Sequence, residues 1–234
     1  MRLLHTSDWH LGQHFMGKSR QAEHQALIVW LLEQVEAQAV DAVLIAGDIF
    51  DTGTPPSYAR ELYNQLVGQL YKAGVPLLVL GGNHDSPATL GESRELLAHL
   101  GTTVIAATHD DPATQVIVLP QRNGEPGCIV CAIPFIRPRD VLQSQAGQSA
   151  EDKQLSLQTA IQKHYGAVFA AAVERQTALA AELGPNFGRR LPIVATGHLT
   201  TVGASTSESV REIYVGALEA FPTTPFPPAD YIAL

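Results

Sequence analysis

Potential metal ligands follow the apolar runs of this chain, within a few residues of the point where each run ends. They are carboxylate, amide and imidazole side chains with no thiolate among them: Asp8, His10, Asp48, Asn83, His84, Asp85 and His198. This mixture of oxygen and nitrogen donors suits hard to borderline dications, such as manganese or iron, better than a structural zinc. Because the loops beyond the carboxyl ends of strands in an open α/β sheet converge on one crevice, we expect these side chains to meet there.

Glycine immediately precedes the ligand in three of these segments, which are Gly47-Asp48, Gly82-Asn83 and Gly197-His198. Glycine lets the backbone turn sharply as a strand ends and directs the next side chain into the crevice. Any one of these residues alone is typical of a turn or a helix cap. Their joint occurrence in the order D-x-H, G-D-x-F-D, G-N-H-D, G-H favours a metal site.

A pair of dications would give this site a chemistry. Two metal ions about 3.5–4 Å apart can share one carboxylate, activate a water at neutral pH and hold the attacking and leaving oxygens of a displacement at phosphorus. The pair would also place about four positive charges where an anionic phosphate docks. The chain itself carries 15 Lys and Arg against 23 Asp and Glu, a net charge of −8, so wrapping of nucleic acid by bulk charge is disfavoured.

The elements that position these residues alternate short apolar runs with helical periodicity, which is typical of an α/β fold. We predict strands over Arg2–His5, Asp41–Ala46, Pro76–Leu80, Pro192–Thr196 and Asp230–Leu234. We predict helices over Ser19–Gln38, with Leu27, Trp30, Leu31 and Val35 on one face, from a Ser57 cap through Leu70, over Glu92–Leu100, and over Ala150–Leu183 as one helix or two joined near Gly166.

The middle of the chain changes to β-rich segments broken by turn residues. Thr103–Ala106, Gln115–Leu119 and Gly127–Ile133 are predicted as meander strands that join a second sheet. With 45% hydrophobic residues the chain can bury a sizeable core, which excludes a disordered protein. No repeat or linker divides it, so we predict one domain over residues 1–234.

Cys128 and Cys131 are spaced as C-x-x-C, which can carry redox chemistry or supply half of a zinc site. They lie in a strand-like run in which positions i and i+3 point to opposite faces, and this favours two core thiols. The chain has two cysteines, so a zinc knuckle is excluded.

The opening residues lack the basic and apolar regions of a secretory leader, and no stretch reaches the roughly 18 apolar residues of a membrane span. We therefore expect a soluble, cytoplasmic protein without a membrane partner.

Four segments resemble the calcineurin-like metallophosphoesterase superfamily: Asp8-Trp9-His10, Gly47 through Asp51, Gly82 through Asp85, and Gly197-His198. Longer strings are similar to the SbcD family of bacterial nuclease subunits, namely His5 through Gly12, Gly47 through Arg60, Gly197 through Ser205 and Ala229 through Leu234. The resemblance covers essentially the whole chain. It implies a four-layer αββα sandwich with two central mixed β-sheets and helices outside.

The resemblance also implies roles for the ligands. Asp8, His10 and Asp48 would hold the first manganese, and Asp48, Asn83 and His198 the second, with Mg²⁺ or Fe²⁺ as alternative metals. His84 would be the general acid that protonates the departing sugar oxygen. Asp51 and Asp85 are candidates for orienting His84 or the ligands, whereas His5 and His14 are interpreted as structural.

The family resemblance further implies DNA as the substrate, with cleavage of DNA ends and hairpins. It implies an SMC-like ATPase partner of the SbcC type and a homodimer within a heterotetramer. A helical face of Ser19–Gln38 or Ser57–Tyr71 could supply the dimer interface, although packing on the sheet explains the amphipathic pattern there equally well.

One part of the superfamily pattern is not in this sequence. The pattern ends with a G-H-x-H element after a strand, which supplies one more histidine to each metal and would begin at Ala233-Leu234. We therefore expect residues 1–234 to be a nuclease domain incomplete at its C-terminus, without the downstream capping and partner-binding regions, and weakly active or inactive.

Two other functions remain open at this stage. One is a phosphatase or phosphodiesterase for a small phosphoester, because the metal ligands alone do not select the substrate. The other is a non-catalytic fragment that binds the SbcC-type partner.

Overall fold

The structure is a computed structural model that describes residues 1–142, 150–184, 187–199, 201–202, 221–222 and 227–233. Parts of the sequence that carry the family resemblance, at Thr200, Gly203–Ser205 and Leu234, lie outside the described residues.

The first sheet has four strands in the order β1-β4-β5-β6: β1 Leu3–Thr6, β4 Ala42–Ala46, β5 Leu77–Leu80 and β6 Thr102–Ile105. The two central strands are buried at every position, which explains their unbroken apolar sequences. All three strand pairs are parallel, so the prediction of a mixed sheet was wrong here. The assignment of residues 103–106 to the second sheet was also wrong, because helices between β5 and β6 return the chain to the first sheet.

The second sheet has the order β12-β9-β8-β7: β12 Tyr231–Ala233, β9 Ile193–Thr196, β8 Pro126–Ala132 and β7 Val116–Pro120. A tight connection makes β7 and β8 antiparallel, and the other two pairs are parallel. This sheet is mixed, as predicted. The crossover that a parallel β8–β9 pair needs is α6, Ala150–Leu183, which continues through Gly166 as a single helix.

Two predicted helices of the N-terminal half are confirmed, with corrections at their ends and faces. In α1, Gln21–Ala37, the buried face carries Ile28, Leu31 and Val35. Trp30 is 55% exposed because its position around the helix axis falls outside this buried face. In α2, Ser57–Lys72, the N-cap position is Pro56 and Ser57 is the first helical residue.

The helix predicted over residues 92–100 is instead two short helices, α3 Pro87–Gly91 and α4 Arg94–His99. The Ser86 side chain accepts a hydrogen bond from Thr89 N at 3.3 Å and begins α3 earlier than the periodicity indicated. The remaining elements are short: β2 His14–Phe15, β3 Lys18–Ser19, the 3₁₀ turn Pro112–Gln115, α5 Pro138–Val141, β10 Thr201–Val202 and β11 Phe221–Pro222.

Three apolar clusters hold these elements together. The first lies between α1, α2 and one face of the first sheet, and includes Leu31, Leu66 and Val43. The second joins the other face of that sheet to the second sheet, through Leu44, Leu78 and Val130. The third packs the second sheet on α6, through Ile129, Val168 and Ile193. Alternate strand residues thus face different clusters.

The two cysteines follow the same alternation. Cys128 lies in the cluster between the sheets and Cys131 in the cluster beneath α6, both buried and reduced. The prediction of two core thiols on opposite faces is confirmed. Among the described residues, no helix combines the length and apolar character needed to cross a membrane.

Candidate metal centre

Loops at the carboxyl ends of four strands bring the predicted ligands to one place. Asp8 and His10 follow β1, Asp48 follows β4, Asn83 and His84 follow β5, and His198 follows β9. The first three strands are neighbours in the first sheet, whereas β9 belongs to the second. The site therefore lies where the edges of the two sheets meet, rather than at the crevice of a single open sheet.

Asp48 lies at the centre of this site and is 3% exposed. Its Oδ2 is 3.6 Å from His10 Nε2 and 3.4 Å from His198 Nε2, and its Oδ1 accepts a hydrogen bond from His84 N at 2.9 Å. Ligand atoms within 4.8 Å of one another form two groups of three: Asp8, Asp48 and His198, and His10, Asp48 and His84. The carboxylate of Asp48 is common to both groups.

The backbone at the ligands is held in an uncommon conformation. Asp8, His10 and Asp48 have φ of 57°, 47° and 49°, in the left-handed region that side chains rarely adopt. Hydrogen bonds from Asp8 N to Gly47 O, at 3.2 Å, and from His10 N to Asp48 O, at 2.9 Å, tie the two loops together. Such strain persists only where surrounding contacts enforce it, and it concentrates at functional sites.

Two of the glycines are required by close approach, and one of them, Gly47, also by its backbone conformation. Gly47 has φ of 94°, and a Cβ atom there would overlap the His198 ring. A Cβ atom at Gly82 would overlap the backbone nitrogen and the carboxylate of Asp48. Larger residues at either position would therefore displace a ligand.

The hydrogen bonds of His198 define what can lie beside it. Its Nδ1 is 2.8 Å from Ala46 O, so the proton is on Nδ1 and, in the neutral ring, the Nε2 lone pair faces Asn83 Oδ1 at 3.0 Å and Asp48 Oδ2. Three acceptors facing one another repel unless a cation, either a proton or a metal ion, lies among them. The donor set therefore fits a dication.

The carboxylate beside His198 favours a proton on Nε2. Burial lowers the pKa of His198, but the hydrogen bond and charge of Asp48 outweigh it and the pKa is raised above its ordinary value. Burial would raise the pKa of Asp48, but the hydrogen bond and charge of His198, with the backbone N–H of His84, leave it lowered. A dication bound here competes with that proton.

His84 and His10 lie beside each other, with ring centroids 4.8 Å apart and planes at 89°. Asp51 contacts both imidazoles. Its backbone oxygen is 2.8 Å from His84 Nδ1, and its carboxylate Oδ1 is 3.4 Å from His10 Nδ1. The residue His84 is exposed.

Asp85 points away from the ligands and is 3% exposed. Its carboxylate accepts hydrogen bonds from the backbone nitrogens of Ile49, Phe50 and Gly82 at 3.1, 2.9 and 2.8 Å. Burial raises the pKa of Asp85 even though these three N–H groups act in the opposite direction. Asp85 thus joins the loop after β4 to the loop after β5.

His5 and His14, interpreted as structural, lie outside both ligand groups. His5 is within β1, where burial lowers its pKa, and His14 Nδ1 is 3.1 Å from Gly12 O.

Phe135 and Arg137 contact the site but were missed by the sequence reasoning. Phe135 N donates to Gly81 O at 2.7 Å, and its ring lies 6.4 Å from the His198 ring. Arg137 donates to Gly82 O and Asp85 O. Both residues directly follow β8, so the strand-end rule that found the ligands would also have found them.

The fold and the shared-carboxylate site are those of a metallophosphoesterase, and comparison of the sequence with protein families agrees. The sequence model described as calcineurin-like phosphoesterase matches residues 1–125, just over half of the 234 residues. The chain belongs to the calcineurin-like phosphoesterase family.

More narrowly, the chain is similar to bacterial proteins named as the SbcD component of the nuclease SbcCD. It is 54% identical to that of Escherichia coli K12 over 234 residues, which is all of this chain and 55% of the relative. It is 35% identical to that of Rhodobacter capsulatus, over 98% of this chain and 55% of the relative, and 29% identical to that of Bacillus subtilis, over 100% of this chain and 56% of the relative. The chain thus spans about half the length of the curated relatives it matches.

Proposed function

We propose that this chain contains the catalytic residues of a manganese-dependent nuclease that hydrolyses phosphodiester bonds in DNA. The observation that carries the proposal is the buried carboxylate of Asp48, which is shared by two groups of three potential ligands. The names of the relatives support a nuclease rather than another phosphoesterase.

The ligands divide between two metal ions. Asp8, His10 and Asp48 would hold the first manganese, and Asp48, Asn83 and His198 the second, with Mg²⁺ or Fe²⁺ as alternatives. The geometric groups instead place Asp8 with His198, and His10 with His84, around the same carboxylate. The 3.0 Å separation of Asn83 Oδ1 and His198 Nε2 supports the second set. Two dications at these positions would polarise a phosphodiester and lower the pKa of a water.

His84 supplies the proton. Its Nδ1 is held by the carbonyl of Asp51, which leaves the opposite nitrogen, Nε2, to act on a substrate. In the protonated ring Nε2 donates to the departing sugar oxygen. The Asp51 carboxylate orients His10 from behind, and Asp85 fixes the two loops that carry Asp48 and His84.

We also propose an arrangement of the sheets and helices in layers. The three apolar clusters support a four-layer αββα sandwich whose helices lie outside two central sheets. For the partners, we propose assembly with an SbcC-type ATPase, which the name SbcCD of the relatives supports. We also propose a homodimer of this chain within a heterotetramer.

The test compares substrates in the presence of manganese. Linear DNA and a small aryl phosphate are each incubated with a version lengthened after Leu234 to carry the Gly-His-x-His pattern, and with the Asp48→Asn variant of that lengthened version. Hydrolysis of DNA that is lost in the variant supports the nuclease. Hydrolysis of the aryl phosphate alone replaces it with a small-molecule phosphoesterase, and no hydrolysis of either substrate favours a non-catalytic role in binding the partner.

A further inference from the structure

A short segment that follows β8 contacts the loop carrying Asn83 and His84. Arg137 Nη2 donates to Gly82 O at 3.1 Å and to Asp85 O at 2.7 Å. These two carbonyls stand immediately before and after the pair Asn83-His84. One guanidinium nitrogen therefore fixes both ends of the two-residue segment that holds a proposed metal ligand and the proposed general acid.

The charge of Arg137 has no carboxylate partner among the described residues. Nη1 is buried and has no acceptor within the described part of the chain, although buried polar atoms usually find one. The neighbouring Arg139 differs, because its side chain is 75% exposed and lies 3.6 Å from Asp140 Oδ1. The hydrogen bonds from Arg137 to the loop carbonyls are charge-assisted and thus stronger than those between neutral groups.

The same segment also reaches the other proposed ligand of the second metal. The Arg137 guanidinium lies 5.8 Å from the centre of the Phe135 ring, and that ring stands edge-on to the ring of His198. Phe135 N also donates to Gly81 O, one residue before the clamped loop. The segment thus contacts the supports of both Asn83 and His198.

The backbone of this loop is restrained through its N–H groups and through its carbonyl groups, by different residues. Two N–H groups are held by carboxylates: His84 N donates to Asp48 Oδ1, and Gly82 N donates to Asp85 Oδ2. Asn83 and His84 themselves are exposed, and their side chains contact His198, Asp51 and His10 rather than a packed core. The carbonyl groups of Gly82 and Asp85 are restrained by Arg137.

We propose that Arg137 is a positioning residue that holds Asn83 for metal binding and His84 for proton donation. The role in proton donation rests on the proposed function, whereas the restraint of the loop does not. A planar guanidinium can donate to both carbonyls in a fixed geometry, whereas a lysine ammonium is a point donor on a flexible stem. Arg137→Lys should therefore rescue part of what Arg137→Met loses.

The first test measures the loop without metal. Hydrogen–deuterium exchange of the amides at residues 82–85 is compared in the wild-type chain, Arg137→Met, Arg137→Lys and the matched control Arg139→Met. We expect faster exchange in Arg137→Met, an intermediate rate in Arg137→Lys and the wild-type rate in Arg139→Met, with the thermal unfolding midpoint of each recorded. Wild-type exchange in Arg137→Met would overturn the proposal.

The second test measures manganese binding by calorimetry. Outer-sphere partners of metal ligands typically contribute 10–100-fold to affinity, so we expect a loss of that order in Arg137→Met. The loss should disappear in an Asn83→Ala background, because the residue through which Arg137 acts is already gone. An equal loss in both backgrounds would contradict the proposal and indicate a general structural role.

The third test separates this inference from the proposed function. In phosphodiester hydrolysis at saturating manganese, Arg137→Met should lower kcat with little change in KM. If the wild-type protein, lengthened after Leu234 to carry the Gly-His-x-His pattern, hydrolyses no phosphodiester while the exchange and manganese results hold, the nuclease proposal fails and Arg137 stands as a positioning residue of the metal loop. If kcat is unchanged while wild type is active, the role of Arg137 in placing His84 is wrong.

Discussion

At the scale of single residues, Asp48 combines features that are costly in isolation. It is a buried carboxylate on a left-handed backbone, and two glycines approach its surroundings too closely to carry a side chain. A protein keeps such a residue where its function requires it. Against the effect of burial, the Asp48 carboxylate raises the pKa of His198 and the His198 imidazole lowers the pKa of Asp48, so each group favours the charged form of the other.

Asp48→Ala should therefore weaken both manganese sites together, by at least about 100-fold, because the shared carboxylate is the one ligand counted twice. Calorimetric titration with manganese measures this. Asp48→Asn keeps the shape of the side chain but not its charge, so it tests the same loss with less risk of misfolding. Asp110→Ala, at an exposed position, serves as a control. One manganese still bound tightly by either Asp48 variant would show that the carboxylate does not bridge.

In a version lengthened after Leu234 to carry the Gly-His-x-His pattern, His84→Gln should lower phosphodiester cleavage by at least about 10²–10⁴-fold while manganese affinity stays close to that of wild type, because it removes a proton donor rather than a ligand. The geometry makes this test informative, since His84 also lies within reach of His10 and Asp48. Cleavage rate and manganese titration are measured on the same preparation. Loss of one metal would reassign His84 as a ligand.

At the scale of elements, hydrogen bonds to Asp85 join the loop after β4 to the loop after β5. Asn83 and His84, on the second of these loops, are exposed. Asp85 and Arg137 hold the loop after β5 from opposite sides. The long helix α6 has a different task, since it covers the second sheet and carries no residue of the site. Changes in α6 should thus alter stability without altering metal binding.

Gly166→Ala tests the continuity of α6. Nothing lies within 4 Å of a Cβ atom built at this interior position, so alanine should stabilise the protein by about 0.5–1 kcal/mol through its higher helix propensity. Gly82→Ala is the contrasting variant, because its Cβ atom would overlap Asp48 and should reduce both stability and manganese binding. Urea unfolding measures both effects. Destabilisation by Gly166→Ala would argue for two helices joined at this glycine.

The thiols of β8 test the burial of the second sheet. Burial raises the pKa of Cys128 to about 11 and that of Cys131 to about 12, so at pH 8 less than about one thiol in a hundred is the reactive thiolate. Iodoacetamide should therefore label neither cysteine in the native chain and both in denaturant, as mass spectrometry would record. Rapid labelling at pH 8 without denaturant would contradict the buried placement of β8.

At the scale of the whole molecule, the number of ligands limits the affinity for metal. Each of the two proposed sets, Asp8, His10 and Asp48, and Asp48, Asn83 and His198, offers three protein ligands among the described residues, and both sets include Asp48. Three ligands hold a dication when water completes the coordination, but a further histidine at each metal should strengthen binding considerably.

We therefore expect residues 1–234 to bind manganese weakly, and a version lengthened after Leu234 by about ten residues bearing the Gly-His-x-His pattern to bind at least about tenfold more tightly. Calorimetric titration of the two proteins side by side makes the comparison, and a matched extension with both histidines replaced by alanine is the control. Tight two-site binding by all three would mean that other residues, such as His5 or His14, complete the coordination.

Much of this architecture could be predicted from the sequence because its signals are local. Buried parallel strands are continuous apolar runs, and Ala42–Ala46 and Leu77–Leu80 were recognisable for that reason. The alternation of side chains along β8 placed Cys128 and Cys131 on opposite faces from their spacing alone. The glycine-preceded ligands at strand ends indicated the metal chemistry, since residue type and position together express what a dication requires.

Other features were decided only by the tertiary structure, because they depend on contacts that local patterns do not encode. The periodicity of β6 is the same whichever sheet it joins, and only pairing with β5 settles that it belongs to the first. His198 meets Asn83 across 115 residues and two sheets. In the sequence, Arg137 resembles an ordinary surface cation. Only the fold places its guanidinium against the carbonyls on either side of Asn83 and His84. Residue types and spacing thus determine which atoms can bind a metal, whereas the packing of the two sheets determines which of them meet.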